Sequence, residues 1–337
     1  MTGDLVDPVV DLRQRALANG LPADRLGPLF ERFVTIAIRH AALERVVLGS
    51  VPLTFPAHLL DEAGESDLRS SADRLADGIA LAERERDRLG ADPADIDRLE
   101  RMIEDQGVKV VTLPFPAGVS LLSAFLFHED TGPAILIDGA TSRHERDYAL
   151  AHAYGHYLAD HDPWRAWTCR LGGGGDSVEE LRAHGFAAAF LVPAKALATY
   201  LSAVPATMLK PVSGELVGQL RIYFDADPRA ILGRLLAGGQ ITAAEIAPLM
   251  RQLGPDAGTA GTAPNEEASA DTDSEWGAGV GLSDRYITLA VMAYRGGHLD
   301  LAGLARSLET DAAGAAAIDQ RFRREAPVER NDGDRTD

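Results

Sequence analysis

Residues 146–158 read RDYALAHAYGHYL, and the fold turns on the two histidines in the second half, His152 and His156. Four residues apart on a helix, they project from one face a turn apart. Both imidazoles then reach a single Zn²⁺ at about 2.0–2.1 Å. In the HExxH pattern of zinc proteases, the residue after the first histidine is the glutamate that takes a proton from water on the metal. Ala153 stands there and carries no proton acceptor. The stretch is built to hold a metal and lacks the usual group for using it hydrolytically.

Working outward, Ser142 with Glu145 three residues later is a capping-box signature, which opens the helix carrying both histidines. Upstream, Val108–Leu113, Val119–His128 and Ala134–Ile137 are short apolar or β-branched runs separated by Pro, Gly and Asp. They predict a small antiparallel sheet leading into the histidine helix. The expected class is α+β, a zincin-like core with additional helical N- and C-terminal regions.

Residues 1–105 read as a mainly helical N-terminal region, interrupted around Gly49 to Pro56. Within it, charge-laced Leu68–Leu89 fits a solvated helix, and Asp92-Pro93 starts another that Gly107 stops. Residues 106–253 are the expected metal-binding core with following helices. Residues 254–275 hold no large apolar side chain and read as a disordered linker. Residues 276–325 predict a helical hairpin, and 326–337 a frayed tail. The glycines 172–175 lack the Lys-Ser/Thr ending of a phosphate loop and read as a loop beside the site.

A net charge of −18 on 337 residues opposes binding to phosphate backbones, so no direct contact with nucleic acid is expected. No secretory leader or membrane span is evident, which makes a cytoplasmic protein the expectation. The lone cysteine, Cys169, cannot pair within the chain; a metal ligand or redox sensor is the alternative, but a lone cysteine is more often inert. It is read here as a core residue.

With nine histidines, one i, i+4 pair is unsurprising by chance, so a third ligand has to be found. A further histidine six residues beyond His156 would make a metzincin, but Ala159 and Asp162 occupy the positions where that class needs Gly and His. A glutamate from a following helix is the other solution. Glu180 fits near the start of such a helix, Glu179 competes with it, and His184 one turn on would orient or replace it.

The run RDYALAHAYGHYL resembles the "FTLAHELGHYLL" segment of the ImmA/IrrE metallopeptidase family. Residues 180–193, ELRAHGFAAAFLVP, resemble its "ExxANxFA…LLMP" segment. The likeness is good over about residues 70–200. It implies His152, His156 and Glu180 as zinc ligands, a zinc endopeptidase activity, and a protein substrate, a transcriptional repressor among the candidates. Two positions depart from the pattern, Ala153 for the catalytic glutamate and His184 for the asparagine. The first puts turnover in doubt. With every neighbour from Tyr148 to Leu158 in pattern, an engineered one-residue inactivation of a working protease explains Ala153 best. A natural pseudoenzyme acting as a sensor or adaptor is the alternative. Tyr148, Tyr154 and Tyr157 lie close in sequence and read as packing residues.

Overall fold

The computed structural model describes residues 7–51, 71–91, 99–160, 166–170, 178–253 and 279–325. The expected linker and tail, the glycine run, the Asp92-Pro93 helix start and Asp162 lie outside the described residues. In chain order the helices are α1 (Pro8–Ala18), α2 (Ala23–Leu48), α3 (Ser71–Leu89), α4 (Leu99–Asp105), α5 (Arg143–Ala159), α6 (Val178–Leu191), α7 (Ala194–Ala203), α8 (Ala206–Leu209), α9 (Gly214–Phe224), α10 (Pro228–Ala237), α11 (Ala243–Leu253), α12 (Asp284–Arg295), α13 (Leu301–Ser307) and α14 (Ala312–Glu325).

Four strands, β1 (Lys109–Leu113), β2 (Leu121–His128), β3 (Gly132–Asp138) and β4 (Ala166–Arg170), form one sheet in the order β1-β3-β2-β4. β2 is antiparallel to β3 and β4, but β1 runs parallel to β3, with Val110 opposite Ile135. The sheet expected to be antiparallel is therefore mixed. Parallel neighbours need a long crossover. Here β2 provides it: residues 114–120 carry the chain past the place β3 will take, and the β2–β3 hairpin then inserts β3 beside β1. Both faces of the sheet are covered. Ile135 and Ile137 pack to one side, Ala134 and Leu136 to the other, and all four are buried. That is why these strands read as nearly continuous apolar runs rather than alternating ones.

The face carrying Ile135 packs under α3 to α7 and α9 to α11. The opposite face packs under α1 and α2 together with α12 to α14, where Phe30 and Phe33 meet Tyr286, Ile287 and Ala290 in one core. The expected C-terminal hairpin thus holds three helices, and they share a layer with the first two helices of the chain. Arg32 and Arg39 of α2 tie this layer to Glu309 at 2.6 and 3.1 Å. No single helix among the described residues is long and apolar enough to cross a membrane.

The helix read as solvated is not: α3 buries Leu81, Ala82 and Glu85 against α6. The two helices touch backbone to backbone. A Cβ on Gly78 would lie 2.0 Å from the Arg182 carbonyl oxygen, and one on Gly185 would lie 2.3 Å from that of Leu75. Alanine in a helix interior gains about 1 kcal/mol over glycine. A backbone collision cannot relax by rotating a side chain, so overpacking wins. Gly185→Ala is expected to destabilise the fold by about 2–3 kcal/mol. Urea unfolding followed by circular dichroism checks this, and an unchanged midpoint would contradict the close crossing.

Candidate metal centre

The centre is built on α5. Ser142 accepts from the Glu145 N–H, and the Glu145 carboxylate in turn accepts the Ser142 N–H at 3.1 Å, so the predicted capping box is present. From Tyr148 to Leu158 every residue of α5 is buried, which fixes the helix on all sides. Tyr154 donates to Glu85 Oε1 at 2.5 Å, and Arg88 grips the same carboxylate at 2.6 and 2.7 Å. This buried Glu85 pins α5 to α3. Gly155 allows α6 to approach, since a Cβ there would sit 3.0 Å from Phe186. Glu180, in the first turn of α6, is thereby brought over the histidine face.

Glu180 Oε2 lies 3.4 Å from His152 Nε2, and Glu180 Oε1 lies 3.6 Å from His156 Nε2. Ligands about 2.0–2.1 Å from a tetrahedral Zn²⁺ stand about 3.3 Å apart, so these spacings suit a shared cation. Nδ1 and Nε2 of His152 and Nε2 of His156 are buried and, among the described residues, make no hydrogen bond within ordinary geometry. Buried polar atoms are seldom left so. The residues present fit a metal.

A fourth group joins them. Cys169 on β4 is 2 % exposed, and ligand atoms of His152, His156, Cys169 and Glu180 all lie within 4.8 Å of one another. Cys169, read from the sequence as an inert thiol, stands beside two imidazoles and a carboxylate. Sequence reasoning missed it because β4 was not recognised as a strand. Its signal was Trp167 and Cys169 two apart in a short β-forming run, which places both on the α5 side of the sheet.

Behind the candidate ligands stands a supporting layer. His156 Nδ1 pairs with Asp160 Oδ2 at 2.8 Å, leaving Nε2 to face the centre, and Asp160 is held by Arg182, which also reaches Asp77 at 3.4 Å. The Trp167 ring stacks on His156, with centroids 5.7 Å apart and planes inclined by 13°. Carboxylates behind a ligating histidine fix its ring orientation and raise its basicity. Asp160→Asn is expected to weaken metal retention by roughly 10- to 100-fold. Competition with a fluorescent chelator measures this, and an unaltered affinity would remove Asp160 from the site.

The imidazoles favour the anions of the thiol and carboxylate, and these in turn favour the protonated imidazoles. Burial lowers the His156 pKa, but Cys169 and Glu180 overcome it and raise it to about 10. Glu180, though desolvated, is held far below the usual carboxylate range by His152 and His156. Burial raises the Cys169 thiol, and His156 and His152 bring it down to about 7. His184 is different. Burial and the neighbouring His152 lower it to about 3, so it is neutral. It meets the Tyr148 hydroxyl through Nδ1 at 2.8 Å and stands outside the converging set, as does Glu179. Tyr148 is itself covered by the Arg229 guanidinium, 4.6 Å from the ring centroid.

Residues 103–205 match the family model of the IrrE N-terminal-like domain, Peptidase_M78. The segment is similar to an IrrE-like metallopeptidase domain. The match runs from α4 through α7 and so takes in all four strands and all four side chains of the cluster. No curated protein matches the chain. Ala153, 1 % exposed, follows the first histidine of the pair, at the position where the HExxH pattern has its glutamate.

Proposed function

We propose that this chain holds Zn²⁺ in a metallopeptidase-type centre and engages a protein partner there without cleaving it. Ala153 carries the reading. Its methyl group accepts no proton, and Glu180 and Asp160 are committed to the two histidines. Zinc is the cation that suits a buried set of imidazole, thiolate and carboxylate donors. When bound, it supplies a Lewis acid. His152, His156 and Glu180 would hold it, and Asp160 and Arg182 would orient His156.

A partner read as an extended strand finds the neighbouring sheet edge taken. β4 has no strand on its outer side among the described residues. Its Ala166 N–H donates to Asp11 Oδ2 at 2.7 Å, and its Thr168 carbonyl accepts from Asn19. A peptide adding to that edge would have to displace α1. This favours regulated binding over free access. A transcriptional repressor is the partner implied by resemblance, and a chain with Glu at position 153 and an open position on the metal would be the corresponding endopeptidase.

Elemental analysis of the purified full chain tests the reading together with a cleavage assay on native cell extract. About one zinc per chain with no cleavage is expected. Cleavage that a chelator abolishes would overturn the non-hydrolytic assignment, and a chain that takes up no zinc would overturn the centre.

A further inference from the structure

The geometry points to Cys169 as a fourth protein ligand, closing the metal centre into a His152, His156, Cys169, Glu180 tetrahedron. The inference rests on the metal-holding role proposed above and goes beyond it, because it concerns where the last coordination position goes. Hydrolytic zinc sites keep three protein ligands and one open position, whereas four protein ligands make a closed, structural site.

Three observations converge. Strand alternation places Trp167 and Cys169 on the α5 side of β4, with the pairing to β2 (Trp167 opposite Phe125, Thr168 opposite Ala124, Cys169 opposite Ser123) fixing the register. The thiol is therefore aimed by the sheet, on a rigid element, rather than by a loop. Next, the sulfur is in the same 4.8 Å cluster as a buried imidazole, His152, whose Nδ1 has no hydrogen-bond partner among the described residues and whose Nε2 faces the Glu180 carboxylate at 3.4 Å. An ordinary core thiol packs on apolar atoms and leaves no such group beside it. Lastly, charge balances. Two neutral imidazoles, one thiolate and one carboxylate cancel the two charges of Zn²⁺, so the buried centre is neutral. With His152, His156 and Glu180 alone it would carry a net positive charge inside the core, which is costly.

The closed shell gives Ala153 a physical context. A general base has no task where no water is bound, so Ala153 and a ligating Cys169 act in the same direction.

Because Cys169 is the only cysteine in the chain, a single spectrum tests the inference. The full chain is loaded with Co²⁺ and its absorption recorded, with Cys169→Ser as control. The expected result is tetrahedral d–d bands together with a thiolate-to-cobalt charge-transfer band, which can come from no other residue. In Cys169→Ser that band vanishes and metal retention falls by more than the roughly 10- to 100-fold that loss of a group behind a ligand costs. Stoichiometric Co²⁺ without the charge-transfer band would overturn Cys169 as a ligand and leave the centre of His152, His156 and Glu180 standing. Absence of bound Co²⁺ would overturn both. The wild-type spectrum decides even if the serine variant does not fold.

Discussion

Glu180→Ala is expected to strip the purified chain of stoichiometric metal, whereas Glu179→Ala keeps it. The two residues are neighbours in the first turn of α6, and either would favour a helix N-terminus by its charge. Only Glu180 faces His152 and His156, at 3.4 and 3.6 Å. Losing a coordinating carboxylate removes both a bond and the anion that offsets the cation in a buried pocket. The cost should exceed the roughly 10- to 100-fold charged to a supporting group such as Asp160. Elemental analysis after gel filtration reads the metal, and circular dichroism confirms that α6 persists. Equal retention in both variants would remove Glu180 from the centre.

That contrast marks what the sequence made legible. The i, i+4 histidines, the capping box and the three strands up to Asp138 are local patterns, with each residue's neighbours in sequence also its neighbours in space. They placed α5 and the sheet leading into it. The path of the sheet was not local. The parallel pairing of β1 and β3 depends on where β2 lands, and no residue of β1 records it. The same holds for α3, whose run of Glu and Arg suggested solvent. Its burial is set by Gly78 and Gly185, a hundred residues apart, and by Glu85 meeting Tyr154. Cys169 failed for a third reason. A lone cysteine has no partner spacing to read, so its setting appears only when β4 is laid beside α5. His184 was assigned a choice between orienting and replacing Glu180. The structure instead pairs it with Tyr148, a contact between two helices that periodicity on one helix cannot show.

Restoring the glutamate alone, as Ala153→Glu, is expected to leave the chain with metal and without appreciable cleavage, whereas Ala153→Glu combined with Cys169→Ser should cleave. A general base contributes about 10²- to 10⁴-fold, but only when there is a coordinated water for it to act on. With Cys169 in the shell, position 153 supplies a proton acceptor to a site that has no place for the nucleophile. Removing the sulfur opens one position, and the returned carboxylate then has a substrate for its basicity. The measurement is release of new amino termini from unfolded polypeptides and from native cell extract, with a chelator control and with zinc content recorded for each variant. Activity in Ala153→Glu equal to that of the double variant would show that the sulfur closes nothing and that one residue alone separates this chain from a working protease. A double variant that holds zinc yet cleaves nothing would shift the block to the sheet edge, where Asp11 and Asn19 already occupy the backbone groups of β4 that an extended substrate would need.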